Sequence, residues 1–178
     1  MKIAVYCGSG AGKKEAYTIG AVALGMWMAE EGHTLVFGGT RGGLMGTIAN
    51  SVISNGGKVI GVLPQIESIQ KRRHQYLTEY IETKDMAERK QKMIEIADAY
   101  IALPGGPGTL DEISDVIALA RLRINQKPCV LYNIDGYYQP LELFFHKMVE
   151  EEFANSDDFK KVIISENLDE IGSFLSCE

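Results

Sequence analysis

Short apolar segments alternate with longer stretches of helical period along most of the chain. Near-continuous apolar runs stand at 3–6, 34–37, 59–63, 99–103, 129–132 and 162–164, and each reads as a strand. Between most of them, apolar residues recur at three- and four-residue steps, as at 86–97 and 110–122, which predicts helices. From residue 138 onward the pattern predicts a helix, a short strand and a closing helix over 167–175, with nothing there that suggests chemistry. Strands that are apolar throughout and joined by helices imply a parallel sheet covered on both faces. The expected fold is a doubly wound α/β sheet, and 178 residues with no repeat or Pro/Ser-rich linker suit a single domain. One stretch breaks the alternation. Residues 65–83 are polar and charged, contain no clear strand, and include a Lys71-Arg72-Arg73-His74 run that reads as a solvated connection.

Charge narrows the partners. The 18 Lys and Arg against 24 Asp and Glu leave a net charge of −6, with no block of five or six like charges, which argues against wrapping a nucleic acid. The longest apolar run, 19–29, is too short to cross a bilayer. The first seven residues run straight into glycines without the apolar core of a signal peptide. Cys7, Cys129 and Cys177 cannot all pair and lack metal-ligand spacing, so they read as reduced thiols in a cytoplasmic protein without a metal or cofactor. His33, His74 and His146 are dispersed, with no acidic partner at useful spacing, and read as structural or surface residues.

The 19 glycines change the picture through their placement. Three clusters each follow a predicted strand: Gly8-Ser9-Gly10-Ala11-Gly12, Gly38 to Gly46, and Pro104-Gly105-Gly106-Pro107-Gly108-Thr109. In an open parallel sheet all strand C-termini reach one edge, so the three loops are expected to converge on one crevice. Glycine allows close backbone approach, and a helix N-terminus offers free N–H groups, so the combination suits an anion such as phosphate. One such cluster is equally well explained as a tight turn; three together favour binding. The first cluster is G-x-G-x-G rather than G-x-G-x-x-G, no acidic residue closes the second strand, and no G-x-x-x-x-G-K-[ST] occurs. A mononucleotide or another small phosphoester remains.

Glu112 follows the third cluster at T-x-x-E spacing from Thr109, so it reads either as a capping-box residue or as an acid beside the phosphate loop. In the first turn of a helix its ionised form would be favoured. Asp111 is expected to be solvated. Arg89 shares a helical face with Met93 and Ala97 at four-residue steps, yet periodicity alone favours a solvated arginine paired with Glu88 or Asp85.

Taken together, these segments resemble the LOG family, the cytokinin riboside 5′-monophosphate phosphoribohydrolases, often labelled lysine decarboxylase-like. The likeness runs through Cys7-Gly8-Ser9, Gly38-Gly39, Gly43-Leu44-Met45-Gly46, Met86 with Arg89-Lys90, Pro104-Gly105-Gly106 with Gly108-Thr109 and Glu112, and Asn133 to Tyr138. It implies a Rossmann-like homodimer that hydrolyses the N-glycosidic bond of a nucleoside 5′-monophosphate, such as a cytokinin ribotide or AMP, to free base and ribose 5-phosphate. It implies Arg89 and Glu112 as the catalytic pair, reversing the solvated reading of Arg89. The phosphate is then expected on Gly105, Gly106, Gly108 and Thr109, with Ser9, Thr40, Gly43, Met86 and Lys90 completing the substrate site. Departures from the family pattern are Ala87 for His, Pro107 for Tyr, Thr40-Arg41 for Gly-Ser, and Ala118, Leu119 and Arg121 for Thr, Trp and Gln. These leave the reaction class better specified than the base. No lysine environment for pyridoxal phosphate is evident. A non-catalytic reading stays open, because molybdenum-cofactor carrier proteins share P-G-G-x-G-T-like loops.

Overall fold

The computed structural model describes residues 1–176, so Cys177 lies outside the described residues. The chain runs through β1 (Lys2–Tyr6), α1 (Glu15–Glu30), β2 (Thr34–Phe37), α2 (Gly43–Ser54), β3 (Lys58–Pro64), the short α3 (Glu67–Gln70) and β4 (Glu79–Thr83). It continues through α4 (Met86–Ile96), β5 (Ala99–Ala102), α5 (Pro107–Arg121), β6 (Cys129–Tyr132), α6 (Gln139–Glu150), β7 (Val162–Ser165) and α7 (Leu168–Ser176). All seven strands form one parallel sheet in the order β4-β3-β2-β1-β5-β6-β7. No described helix is long and apolar enough to cross a membrane.

The period-2 alternation of β1 sorts the two faces. Ile3, Val5 and Cys7 pack with Leu24 and Met28 of α1, Ile48 and Val52 of α2, and Ile171 of α7. Ala4 and Tyr6 face the other way, toward Met93 of α4 and Ile113 and Val116 of α5. Both layers are buried, which is why the strands read as continuous apolar runs.

Residues 65–83 are not strandless, contrary to the sequence reading: Glu79–Thr83 forms β4, paired in parallel with β3 from Ile60↔Glu79 to Pro64↔Thr83. β4 sits at the sheet edge, where its glutamates face water, and charge on an edge strand hides its strand character while discouraging further pairing. The chain leaves β1 toward β2, β3 and β4, then returns to the centre for β5. That reversal makes the C-terminal ends of β1 and β5 a switch point, where open α/β sheets bind ligands. Gly8 N–H donates to the Pro104 carbonyl at 3.1 Å, joining the first and third glycine loops there.

Candidate functional site

The third glycine loop begins its helix earlier than the T-x-x-E spacing suggests. Gly106 is the N-cap of α5 and Pro107 its first residue, a position where a missing N–H costs nothing. Gly108 and Thr109 follow, so their N–H groups are the free donors of the first turn, and the first intrahelical bond runs from Leu110 N–H to the Gly106 carbonyl at 3.1 Å. Thr109 is therefore not the cap, and Glu112 lies beyond the first turn, so both the capping-box and the helix-terminus arguments for Glu112 fail. Its side chain turns inward instead.

There it meets Arg89. Asp85 caps α4 by accepting from Glu88 N–H at 2.9 Å, and Glu88 accepts from Lys84 N–H, so neither is the partner of Arg89. Arg89 and Glu112 are each 6% exposed, and Arg89 Nη1 donates to Glu112 Oε1 at 2.6 Å. Arg89 Nε also reaches the Val62 carbonyl at 3.3 Å. Gly38, at the end of β2, makes room for this path, since any Cβ there would collide with Arg89 Nη2. Burial pushes the Glu112 carboxyl above the ordinary glutamate value of 4.5, and the Arg89 guanidinium pulls against it.

Two recesses share Ser9, and Arg89 lines the second of them. The first, of about 330 Å³, lies between the first and third glycine loops and includes Ser9, Tyr17, Leu44, Gly105, Gly106 and Tyr137. The second, of about 140 Å³, is bounded by Ser9, Thr40, Ile69, Arg72, Met86 and Arg89. A larger apolar cavity of about 450 Å³ lies between α6 and β7; it includes His146, read from the sequence as structural or surface, but none of the expected catalytic or substrate-binding residues.

Most of those residues come together here. Ser9, Thr40, Met86, Arg89, Gly105 and Gly106 line the two recesses, Thr109 is buried against Gly105, and Gly108 stands at the open start of α5. Gly43 serves the backbone: at φ 55° it packs so tightly on Ser9 and Gly10 that no side chain fits. Lys90 is drawn elsewhere. Its Nζ binds Asp111 Oδ2 at 2.9 Å and Asp115 Oδ2 at 2.7 Å, clamping α4 to α5. Asp111 is thus exposed, as expected, but paired.

Several contributors escaped the sequence reading. Arg72, exposed, lines the second recess because its segment is not a free connection: Arg41 N–H donates to the Arg72 carbonyl at 2.9 Å and His74 N–H to the Gly39 carbonyl at 2.8 Å. His74 is structural, as expected, and buried, whereas His33 is partly exposed. Tyr137 donates its hydroxyl to the Gly105 carbonyl, and Tyr138 donates to the Leu103 carbonyl at 2.7 Å, so the Asn133 to Tyr138 motif braces the exit of β5. Only the motif itself carried a signal for them, and it gave no role. No group of three or more His, Cys, Asp or Glu able to hold a metal ion occurs among the described residues.

A family model described as possible lysine decarboxylase matches residues 45–173. The cytokinin riboside 5′-monophosphate phosphoribohydrolase LOG of rice, Oryza sativa subsp. japonica, is 43% identical over 164 residues, 92% of this chain and 67% of that protein. The chain belongs to the LOG family. A second LOG-family relative, the cytokinin riboside 5′-monophosphate phosphoribohydrolase of Rhodococcoides fascians, is 38% identical over 168 residues, covering 94% of this chain and 85% of that one. The chain spans about two thirds of the length of the rice LOG proteins it matches, 66% and 67% for two of them. Among solved structures, the molybdenum cofactor binding protein of Rippkaea orientalis superposes with a TM-score of 0.73 at 26% identity over 98% of this chain and 97% of that one. The LOG fold is thus shared by proteins named as enzymes and as cofactor binders, and the site has to distinguish them.

Proposed function

We propose that the protein hydrolyses the N-glycosidic bond of nucleoside 5′-monophosphates, releasing a free base and ribose 5-phosphate. The observation that carries this reading is the buried Arg89–Glu112 pair at 2.6 Å beside two recesses that meet at Ser9. The 5′-phosphate rests on the main-chain amides of Gly105, Gly106, Gly108 and Thr109, helped by the Thr109 hydroxyl and the positive end of α5. The ribose then lies over the pair and the base enters the second recess beside Met86 and Thr40. Cleavage develops oxocarbenium character, which the Glu112 carboxylate stabilises while orienting the attacking water. Arg89 holds that carboxylate in place and opposes the effect of burial on its protonation. The chain's own residues suffice for these steps.

The same reading makes the chain one nucleotide-binding domain, acting as a cytoplasmic homodimer. Buried, unpaired Cys7 and Cys129 fit a reducing compartment. Exposed apolar side chains on α4 and α5, Met86 and Leu110, supply material for a subunit contact near the site.

Incubation with AMP and cytokinin ribotides, followed by chromatography of the products, tests the activity. Free base from the wild-type chain and none from Glu112→Gln or Arg89→Ala is expected; turnover retained in both variants overturns the assignment. The second reading, a non-catalytic carrier of a phosphorylated ligand, draws on the likeness to the Rippkaea orientalis protein. Binding without turnover would favour it. A carrier has no need of a buried acid and guanidinium at the floor of its site.

A further inference from the structure

Lys90 follows Arg89 directly, and the turn of about 100° between successive helical residues carries it away from the core and across to α5. Its Nζ donates to Asp111 Oδ2 at 2.9 Å and pairs with Asp115 Oδ2 at 2.7 Å, two carboxylates one turn apart on that helix. The helices joined in this way are the two that carry Arg89 and Glu112.

Apolar packing does little to align them. Of the 11 residues of α4, Arg89 and Met93 are the buried ones, and Met93 joins the core layer that holds Ile113 and Val116 of α5. Among the described residues, the ion pairs that cross from α4 to α5 are Arg89 to Glu112 and the two made by Lys90. A buried ion pair offsets its desolvation only while its geometry is kept. The register of α4 on α5, and with it the reach of Arg89 to Glu112, therefore depends on the partly buried Lys90.

We propose that Lys90 is a positioning residue for the reaction: by bridging α4 to α5 it holds the Arg89 guanidinium against the Glu112 carboxylate. This rests on the phosphoribohydrolase reading, which makes that pair the reacting one. A displacement of about 1 Å in a catalytic site can cost about 100-fold in rate. Lys90 also acts through its charge. The charged and titratable groups around Glu112 are Arg89 and Lys90 from α4, Asp111 from α5, and Tyr6 and Cys7 from β1. Burial keeps the Tyr6 hydroxyl and the Cys7 thiol neutral, Arg89 and Lys90 favour the Glu112 carboxylate, and Asp111 opposes it. Removing Lys90 takes away one favourable charge and leaves Asp111 and Asp115 to repel each other.

Steady-state hydrolysis of AMP and N6-isopentenyl-AMP across a pH series, by the wild-type chain and by Lys90→Met, Lys90→Arg and Lys92→Met, reads this role. Lys92 stands on the same helix but pairs within it, with Glu95 at 3.1 Å, so its variant removes a cation without touching the bridge. Lys90→Met is expected to lower kcat about tenfold or more with little change in KM, and to move the acid limb of kcat/KM to higher pH. Lys90→Arg keeps the charge and can still reach two carboxylates, so it should restore most of kcat and return the limb. Lys92→Met should change neither. Thermal melts confirm that each variant is folded; a bridge that only stabilises would lower the melting temperature and leave the limb in place. Full kcat or an unmoved limb in Lys90→Met, or equal losses in Lys92→Met, overturns the proposal and leaves the hydrolase reading intact. If the wild type hydrolyses neither nucleotide, the hydrolase reading fails. Carbon-13 NMR titration of the Glu112 carboxyl in the same four proteins then decides whether Lys90 governs the pair: a midpoint raised in Lys90→Met alone supports it, and an unmoved midpoint overturns it.

Discussion

The two recesses that meet at Ser9 are built from different material. The wall beside α5 is largely main chain, from Gly8 to Gly12 and from Pro104 to Gly106, pinned by the Gly8–Pro104 bond. The wall beyond Arg89 is largely side chain, from Thr40, Ile69, Arg72 and Met86. Backbone amides recognise what every sugar phosphate shares, and they constrain the sequence to glycine wherever a Cβ would intrude, as at Gly105 against Thr109 and Gly8. Side chains recognise what differs between ligands and are free to vary. The division explains how one scaffold serves both LOG relatives and a molybdenum cofactor binding protein.

The sharpest way to break this comparison is at the buried Arg89–Glu112 pair, which is structural and, on the proposed reading, also chemical. Removing one member leaves a buried charge alone, which costs about 3–5 kcal/mol, whereas replacing both by apolar residues of similar volume is often neutral for stability. Arg89→Met combined with Glu112→Leu is therefore expected to melt near the wild-type temperature, while Glu112→Leu alone melts well below it. Turnover should fall about 10³-fold or more in both. A double variant that stays active would show that the pair only packs.

A smaller effect follows from protonation. Burial raises the folded-state pKa of Glu112 above its unfolded value near 4.5, and Arg89 moderates the rise. Between those two pKa values the folded protein holds more protons than the unfolded chain, so the contribution of Glu112 to stability declines as pH climbs through that window. Activity that depends on the carboxylate climbs over the same window. The acid limb of kcat/KM is thus expected above pH 4.5, losing tenfold per unit below it, while stability falls in the opposite direction, as pH rises through the same window, a dependence that Glu112→Gln removes. An acid limb at or below the ordinary glutamate value would place the reacting acid elsewhere.

How much of this was readable without coordinates depended on the range of the interactions involved. Strands buried on both faces announce themselves by composition, and six of the seven were recognisable; β4 was not, because Glu79 and Glu82 at the sheet edge obey solvent rather than the core. The glycine loops and the Arg89 and Glu112 positions were recognisable through motifs, though for Glu112 the local argument misled, because Pro107 starts α5 two residues before Thr109. Lys90 sat next to Arg89 in the motif, yet a one-residue step on a helix turns the side chain by about 100°, toward Asp111 and Asp115. Arg72 was beyond reach, since its placement depends on a bridge between Thr40 and Arg73, far apart in the chain.

The main-chain wall offers the mildest test, because its support comes from outside the loop. Tyr137 stands on the segment after β6 and donates its hydroxyl to the Gly105 carbonyl, while Asn133 Oδ1 accepts from Tyr138 N–H at 2.6 Å and keeps both tyrosines in register. Holding that carbonyl aside fixes the peptide plane of the next amide, Gly106 N–H, which on the proposed reading meets the phosphate. One hydrogen bond contributes about 1 kcal/mol net, close to a fivefold change in an equilibrium constant. Tyr137→Phe is expected to raise KM for nucleotides about fivefold and to weaken calorimetric binding of ribose 5-phosphate by the same factor, with a lesser effect on kcat. The preference among bases should not move, because the second recess does not include Tyr137. A change in base preference instead would mean that the two walls are not independent, and the division between shared and variable recognition would fail.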